Sequence, residues 1–394
     1  MSVKQVALLV GGGFIAGAHL EALRRLDIEV AGIVAAAPEH TAQAARKFGL
    51  RPYPDSWSAI NDPAVTVVHD CAPNDVHLEV NLAALKAGKH IFSEKPLGLN
   101  PLETRRQLEF ANASGLKHAV HFTYRGYPMV REMRERIQRG DLGELRFVRG
   151  QYLQDWLLAA HDYNWRLEAK ASETRAVGDI GSHLLDLTRH VIGLEPTRMF
   201  ARFSKMHETR FRPVGTVQTF AGPQEFGSGG GGVPFQVQTE DQASLLVEYG
   251  DHVSANFEVG QVYAGHDNDF SLEVFGTKAS IRWRQERPDE LVLGYRDRPL
   301  EVLRKSALLT PGAARLMHYP AGHPEGYPDA ITNSIRAFYS SLNGEVSDYP
   351  NFEDGHAAAL AVAAAVKSNT EGRWVTLEKL EKLERQKQTI GGRR

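Results

Sequence analysis

The sequence has almost no cysteine and no long apolar run. Cys71 is the single cysteine among 394 residues, which excludes an intramolecular disulfide and any zinc cluster built from cysteines. No apolar stretch reaches the roughly 18 residues that a membrane-spanning helix needs. The segment from Met1 to Val10 carries one lysine and a short apolar run, which does not match a signal peptide. We therefore expect a cytoplasmic protein with no membrane span.

An excess of charge of one sign is also missing. The chain has 46 lysine and arginine residues against 48 aspartate and glutamate residues, so its net charge is −2. No basic field is available to hold a nucleic acid or an anionic membrane. Hydrophobic residues make up 42% of the chain, with 36 glycines and 19 prolines, a composition typical of a globular protein. The length predicts two or three domains of roughly 150 residues.

The first part of the chain alternates short apolar runs with helical patterns. This rhythm predicts βαβ units on a parallel, doubly wound sheet, the Rossmann class of α/β domain. The predicted strands are Gln5–Val10, Val30–Ala35, Val65–Cys71, His90–Ser93 and Lys117–Phe122. The predicted helices are Ile15–Arg25, His40–Phe48, Val76–Ala87 and Leu102–Ala113, with Gly49, Gly88 and Gly115 just beyond three of the helix ends.

The rest of the chain has longer alternating stretches, which predict an α+β domain on a large, mostly antiparallel sheet. Strands are expected at Leu145–Gln154, Met199–Lys205, Gln236–Tyr249, Val253–Tyr263 and Phe270–Trp283. Helices are expected at Pro128–Arg139, Ile180–Ile192, Asp329–Leu342 and Asp354–Asn369. The domain limits expected from this pattern are residues 1–124 and 125–377, followed by a charged, solvated helical tail at 378–394. The glycine-rich segment Gly222–Gly232 lacks the lysine of a phosphate-binding loop and is interpreted as a flexible loop.

A glycine turn follows the first predicted strand. Gly11, Gly13 and Ala16 allow a tight turn that places a dinucleotide pyrophosphate at the start of the next helix, although a purely structural turn is the alternative. The second strand ends at Ala35 without the acidic residue that binds the ribose of NAD. Because Arg46 lies rather far away for a 2′-phosphate, we favour NAD and leave NADP open.

Two polar loops follow the third and fourth predicted strands. Lys95, in the sequence Ser-Glu-Lys-Pro, comes at the carboxyl end of a strand, where open α/β sheets bind ligands. A partly desolvated lysine there can polarise a substrate hydroxyl or relay its proton. The alternative interpretation of the Lys95-Pro96 segment is a surface turn. It is less favoured because Asn74 and His77 are expected at the same edge of the sheet.

A third motif, Gly-Asp-Ile-Gly-Ser-His, opens a predicted helix. Asp179 and His183 are four residues apart and would share one face, with Asp186 also near that face. A carboxylate beside an imidazole raises its basicity, as proton abstraction from an alcohol requires. A structural histidine and a metal site are the alternatives, but no third ligand occurs at diagnostic spacing, so we expect no metal.

An aromatic segment follows the strand that begins at Leu145. Trp156, Tyr163, Trp165 and Arg166 alternate with polar residues, a composition suited to stacking under a sugar ring and binding its hydroxyls. Core packing explains about half of these residues equally well.

Taken together, these motifs resemble the Gfo/Idh/MocA family of oxidoreductases. The resemblance rests on the glycine turn, the Glu94-Lys95-Pro96 triplet, the Tyr124-Arg125 pair and the segment Asp179–His183, and it extends from about Val3 to Leu377. Finer similarity in three further segments is to a branch that oxidises glucose-like rings. These segments are Gln154–Leu158, Asp162–Arg166 and Gly322–Tyr327.

The resemblance implies roles for individual residues. Lys95, His183 and Asp179 would be catalytic, and the Lys95-Pro96 peptide would be cis. The cofactor would contact Gly11, Gly13, Phe14, Ile15, Ala35, Ala72, Pro73, Asn74, His77, Glu94, Lys95 and Pro96. The substrate would contact Tyr124, Trp156, Arg166, Asp179 and His183, with His323 and Tyr327 as weaker candidates.

The resemblance also implies the reaction and the assembly. We expect an NAD(P)-dependent dehydrogenase of a secondary hydroxyl in a sugar, glycoside or cyclitol, with the 3-hydroxyl of a glucose-like ring as the leading candidate. A sugar-processing enzyme that keeps and recycles its nicotinamide, and a non-catalytic sensor on the same fold, are the alternatives. Relatives associate through the second-domain sheet, so a homodimer or homotetramer is expected. The segment Ser172–Gly178 departs from the glycines of many relatives and leaves the sugar open.

Overall fold

The computed structural model describes residues 4–167, 173–213 and 232–391. The chain divides into two compact units. The first comprises Met1–Pro128 and Ala313–Ala359, and the second comprises Met129–Gly312 and Leu360–Arg394. The first break lies close to the boundary expected after residue 124. Residues 313–359, which were expected in the second domain, group instead with the first unit.

A five-stranded parallel sheet forms the centre of the first unit. Its strands are β1 (Val6–Val10), β2 (Glu29–Val34), β3 (Val67–Asp70), β4 (His90–Ser93) and β5 (His118–Val120), in the order β2-β1-β3-β4-β5. The chain moves to one side of β1 to form β2 and then to the other side to form β3. The crevice at the carboxyl ends of β1 and β3 is therefore the switch point where such sheets bind ligands.

Helices bury both faces of this sheet. They are α1 (Phe14–Arg25), α2 (Pro38–Phe48), α3 (Ser56–Ile60), α4 (His77–Lys86), α5 (Pro101–Ser114) and α9 (Tyr327–Leu342). Alternate residues of β1 point to opposite faces: Leu8 belongs to one apolar cluster and Leu9 to the other. Ile335 and Phe338 of α9 complete the cluster that contains Leu9. This packing explains why residues 313–359 belong to the first unit.

A nine-stranded mixed sheet forms the centre of the second unit. The strands are β6 (Leu145–Leu153), β7 (Pro196–Ser204), β10 (Gln242–Tyr249), β11 (Val253–Gly260), β12 (Asp269–Gly276), β13 (Ser280–Arg284), β14 (Glu290–Gly294), β15 (Glu301–Arg304) and β16 (Val375–Thr376). Their order is β15-β14-β13-β12-β6-β11-β10-β7-β16, and all neighbours are antiparallel except β6 and β11. A separate hairpin pairs β8 (Thr209–Arg212) with β9 (Val233–Gln236).

The remaining helices are α6 (Pro128–Gln138), α7 (Ser182–Ile192), α8 (Pro311–Ala314), α10 (Phe352–Glu371) and α11 (Leu377–Gly391). The charged tail expected at residues 378–394 is helical over its described part, but it is not wholly solvated, because Leu380 of α11 is buried. Among the described residues, no helix combines the length and the apolar character needed to cross a membrane.

Two predicted strands are divided in the structure. The stretch Phe270–Trp283 is the hairpin of β12 and β13, because the amide of Gly276 donates to the carbonyl of Ala279 and turns the chain (2.9 Å). The stretch Gln236–Tyr249 contains the end of β9 and all of β10. In the predicted loop Gly222–Gly232, residues 222–231 lie outside the described residues.

Candidate active site

The glycine turn connects β1 to α1 at the switch point of the first sheet. Gly11 has φ +107°, and a Cβ built there would lie 2.3 Å from the carbonyl oxygen of Cys71, so only glycine fits. Gly13 is the N-cap of α1, and a Cβ on it would meet no protein atom within 4 Å. No side chain caps α1, so its first amides are available to an anion. Phe14 is 60% exposed and Ile15 is half-buried.

The loop after β2 has no acidic residue directly behind the strand. The amide of Ala35 donates to the hydroxyl of Thr41 (2.9 Å), and that hydroxyl donates to the carbonyl of Ala37 (3.1 Å). Glu39 is exposed in the first turn of α2. Selection between NAD and NADP therefore does not rest on a carboxylate at the end of β2.

The loops after β3 and β4 are tied together by one buried histidine. Nδ1 of His77 lies 2.8 Å from the carbonyl oxygen of Pro96, and Nε2 lies 2.9 Å from the carbonyl oxygen of Ala72. The imidazole thus contacts the backbone of both loops that were predicted to hold the cofactor. Pro73 is exposed and Asn74 is half-buried at the start of the short turn before α4.

The Glu94-Lys95-Pro96 triplet leaves β4 with a cis Lys95-Pro96 peptide, as the resemblance implied. Lys95 is half-buried. Oε2 of Glu94 accepts the backbone amide of Lys95 (3.2 Å), and Oε1 lies 2.6 Å from Nδ1 of His121. Although burial opposes ionisation, the neighbouring imidazoles hold the pKa of Glu94 well below its usual range. The carboxylate thus fixes the backbone immediately beside Lys95.

Tyrosines of the first unit gather near this triplet. Tyr124 is buried, and its ring stacks on that of Tyr127 with centroids 6.0 Å apart. Tyr327 begins α9, and its pKa is raised well above the usual value by burial and by the charge of Glu94. His323 is exposed, with Nδ1 3.3 Å from the carbonyl oxygen of Pro320. Of the two weaker substrate candidates, Tyr327 is therefore the one near Glu94.

In the second unit, the Gly-Asp-Ile-Gly-Ser-His motif begins with a distorted helical turn. The sequence pattern predicts one α-helix over Ile180–Ile192, whereas residues Val177–Gly181 form a π turn that continues into α7. Such turns occur frequently at functional sites. Asp179 lies at the centre of the π turn, and His183 is the second residue of α7.

Asp179 is held by two side chains. The amide of Gln261 donates to its Oδ2 (3.0 Å), and Nε of Arg166 lies 3.4 Å from its Oδ1. The same arginine lies near Oδ1 of Asn164 (3.5 Å). His183 is buried, and its ring centroid lies 6.4 Å from that of Tyr152. A fixed carboxylate and a nearby imidazole are therefore present on one helical segment.

Amide side chains that sequence analysis did not single out connect this segment to the aromatic residues. Oε1 of Gln154 accepts from Nε1 of Trp156 (2.7 Å) and from Gln261 (3.3 Å). Nε2 of Gln154 donates to Asn268, which also accepts from the hydroxyl of Tyr152 (2.8 Å). Gln154 lies in a motif quoted for the family resemblance, but Gln261 and Asn268 lie far away in the sequence and carry no local signal.

A buried ion network supports the residues before the π turn. Asp241 contacts both Arg175 and Arg210, the latter at 2.8 Å. Burial opposes ionisation of Asp241, but the two guanidinium groups hold its pKa below the usual value. Nη1 of Arg175 also donates to Oε1 of Gln261 (3.1 Å). The network therefore orients Gln261, which in turn orients Asp179.

The predicted aromatic residues divide between site and core. Trp156 and Tyr163 pack on a small apolar cluster of Leu157, Leu167 and Val237. Trp156 also reaches the polar network through Gln154. The structure thus supports the expectation that part of this segment serves packing.

Comparison with known proteins identifies the fold and its chemistry. The model of the oxidoreductase family with an NAD-binding Rossmann fold matches residues 6–122, and that of the GFO/IDH/MocA C-terminal domain matches residues 130–282. The chain belongs to the Gfo/Idh/MocA family. The family resemblance, the fold class and the expected NAD-dependent oxidoreductase activity are thereby confirmed.

Individual Gfo/Idh/MocA proteins are similar over almost the whole chain. Levoglucosan dehydrogenase of Pseudarthrobacter phenanthrenivorans is 29% identical, covering 94% of this chain and 98% of that protein. Myo-inositol 2-dehydrogenase of Thermotoga maritima is 26% identical, covering 94% and 98%. A solved structure of levoglucosan dehydrogenase with NADH and levoglucosan has a TM-score of 0.83 at 28% identity, covering 95% and 99%.

The first unit of this family member fits the cofactor. The open space beside Gly13 and the uncapped start of α1 suit a pyrophosphate group. The predicted contact residues remain predictions at the level of single side chains.

Proposed function

We propose that this protein oxidises a secondary hydroxyl of a sugar, glycoside or cyclitol ring, with the 3-hydroxyl of a glucose-like pyranose as the preferred position. The observation that carries the proposal is the arrangement of Asp179, which Arg166 and Gln261 hold one helical turn before His183. The carboxylate of Asp179 can accept a hydrogen bond that orients a substrate alcohol, and the imidazole of His183 can remove the proton of that alcohol.

The similar proteins act on substrates of the same class. Levoglucosan and myo-inositol, named in two of the relatives, are both polyhydroxylated rings. Trp156 supplies an aromatic face in the second unit, linked through Gln154 and Gln261 to Asp179. Aromatic faces and fixed polar groups are the usual components of a site for such rings.

We assign the chemical roles as follows. The imidazole of His183 accepts the proton from the substrate hydroxyl oxygen, and the carboxylate of Asp179 accepts a hydrogen bond that orients the ring. Lys95 carries the charge that stabilises the developing alkoxide oxygen. NAD, when bound, supplies the hydride acceptor. The amides at Gly13 and at the start of α1 would hold its pyrophosphate.

A substrate panel tests this proposal. Wild type and His183→Ala are offered NAD or NADP with glucosides, anhydrosugars, free hexoses and inositols, while absorbance at the reduced-nicotinamide band is followed. Reduction with one ring family, lost in the variant, is the expected result. Protein that already carries nicotinamide after purification would favour internal recycling. Silence across the panel, with sugars still raising the melting temperature, would favour a sensor.

We further propose that copies of the chain associate through the outward face of the nine-stranded sheet. Phe147 on β6 and Leu246 on β10 are 37% and 44% exposed on that face, and apolar residues on an open sheet face favour association. Light scattering is expected to give a dimer or tetramer, and Leu246→Glu is expected to shift the mass towards the monomer. A wild-type monomer at micromolar concentration would contradict the proposal.

A further inference from the structure

A cluster of imidazole and carboxylate groups lies inside the first unit, apart from the residues assigned to proton transfer. Nε2 of His19 lies 3.0 Å from Oε1 of Glu94 and 3.3 Å from Nδ1 of His121. Nδ1 of His121 lies 2.6 Å from the same carboxylate oxygen. All three residues are buried, with exposures of 0%, 7% and 2%. Three side chains from α1, the end of β4 and the end of β5 thus converge on one point.

The three atoms have nearly the spacing of ligands around one ion. Bonds of roughly 2.0 to 2.2 Å in tetrahedral geometry place ligand atoms about 3.3 to 3.5 Å apart. The distance between the two imidazole nitrogens already has this value, at 3.3 Å. Only Oε1 of Glu94 has to move outward, from 3.0 Å to the imidazole of His19 and from 2.6 Å to that of His121, to reach the same spacing of about 3.3 Å. Two histidines and one glutamate also form a known ligand set for Zn²⁺.

The charge of the cluster favours a cation. Among the described residues, the ion-pair partners of Glu94 are His19 and His121, and no lysine or arginine pairs with it. A buried carboxylate is costly unless it is paired with a positive charge or coordinates a metal. A divalent ion bound between the two imidazoles would supply positive charge at this buried carboxylate.

Neighbouring groups can orient the ligands. Nδ1 of His19 lies 3.0 Å from Nδ1 of His69, whose Nε2 lies 2.9 Å from the hydroxyl oxygen of Tyr339. When Nε2 of His19 bonds a metal, its proton resides on Nδ1 and is donated to His69. His69 then carries its proton on Nε2 and donates it to Tyr339, so both imidazoles remain neutral. Outer partners of this kind accompany most metal-bound histidines.

We propose that His19, Glu94 and His121 bind one divalent transition-metal ion of the Zn²⁺ class. Oε1 of Glu94 bonds the ion, while Oε2 keeps its contact with the amide of Lys95 (3.2 Å). The ion stabilises the first unit beneath the Lys95 loop. This proposal revises the expectation from sequence that the protein holds no metal, and it does not depend on the proposed reaction.

Cobalt is the probe for the test, because Co²⁺ replaces Zn²⁺ and absorbs visible light when few ligands surround it. Because the site is buried, the full-length protein is loaded both during growth in Co²⁺-supplemented medium and by prolonged incubation after chelator treatment. We expect one Co²⁺ per chain, displaced by Zn²⁺. X-ray absorption of the loaded wild type is expected to show two imidazoles and no sulfur, which excludes a site on Cys71.

The chain has 16 histidines, so Co²⁺ bound at the proposed site must be distinguished from Co²⁺ bound by histidines at the surface. Variants make this distinction. His121→Asn is expected to weaken Co²⁺ binding by at least about 100-fold, whereas His252→Asn, an exposed control, leaves binding unchanged. Circular dichroism of the metal-free variants checks folding, and the X-ray absorption result stands if His121→Asn does not fold. Absence of stoichiometric Co²⁺ after both loading routes would overturn the proposal. Undiminished binding in folded His121→Asn, or sulfur ligation in the wild type, would do the same.

Discussion

The α-carbon of Gly11 faces the carbonyl oxygen of Cys71 across the switch point of the first sheet, and a Cβ on Gly11 would lie 2.3 Å from that oxygen. The neighbouring Gly13 has open space around its own α-carbon. The two glycines therefore serve different purposes. Gly11 allows β1 and β3 to lie side by side at their ends, whereas Gly13 leaves room for a ligand.

Alanine at each glycine is expected to separate these purposes. Gly11→Ala adds both a steric conflict and an unfavourable φ of +107°, so it is expected to lower the free energy of unfolding by about 2 kcal/mol or more. Gly13→Ala is expected to lower the free energy of unfolding by less than Gly11→Ala, by about 1 kcal/mol at most, because alanine is a poorer N-cap than glycine. It is also expected to weaken NAD binding by roughly 10-fold, which corresponds to about 1.4 kcal/mol. Thermal unfolding and NAD titration of both variants measure these effects. Unchanged NAD affinity in Gly13→Ala would contradict the predicted pyrophosphate position.

Removal of the proposed base is expected to abolish most turnover. His183→Ala should lower kcat by about 100- to 10,000-fold, the usual contribution of general base catalysis, with NAD affinity preserved because His183 lies in the second unit. His252→Ala, at an exposed position between β10 and β11, serves as the control. Near-normal turnover of His183→Ala would refute the assignment.

The amide of Gln261 is expected to matter through Asp179. Gln261→Met keeps the side-chain volume but removes the donor to Oδ2 of Asp179. A hydrogen bond to a charged group is worth about 1.5 to 3 kcal/mol, which predicts a loss of roughly 10- to 100-fold in kcat/KM for the substrate. The control is Gln242→Met. Gln242 lies on β10, and its side-chain amide donates to Glu258, so this variant removes a glutamine elsewhere on the same sheet. Equal kinetics in the two variants would show that Gln261 does not position Asp179.

Asp70 at the end of β3 is expected to make stability depend on pH. Burial raises its pKa from 3.8 to about 6. Between these values the folded state binds more protons than the unfolded state, so this contribution to stability is lost as the pH rises towards and through about 6. Asp70→Asn is therefore expected to gain about 1 to 3 kcal/mol at pH 8 relative to wild type, and little at pH 4.

Urea unfolding at both pH values measures this difference, with Asp251→Asn, at an exposed position, as the control. Oδ2 of Asp70 has no hydrogen-bond partner among the described residues. The side-chain NH₂ group of the asparagine in Asp70→Asn can take the place of this oxygen, so the substitution breaks no hydrogen bond there. The same stability change at pH 4 and pH 8 would show that ionisation of Asp70 is not its cause.

Local patterns were sufficient for the first sheet. The five parallel strands and the four longer helices between them are found within a few residues of their predicted limits, and Gly49 and Gly115 end helices in the left-handed conformation. Short apolar runs and helical periodicity are properties of neighbouring residues, so they can be read without the fold. The strands β14 and β15 were missed because they are only five and four residues long, and β15, at the edge of the sheet, does not alternate between buried and exposed residues.

Contacts between distant residues were not accessible in this way. His19, Glu94 and His121 meet because parallel strands bring their carboxyl ends to one edge, and Gln261 reaches Asp179 from the end of another strand. Residues 313–359 join the first unit because the apolar face of α9 completes its core. The sequence by itself determined the family, the motif residues and most elements. Only the tertiary structure decided which polar groups meet, because burial makes each of them depend on partners far away in the chain.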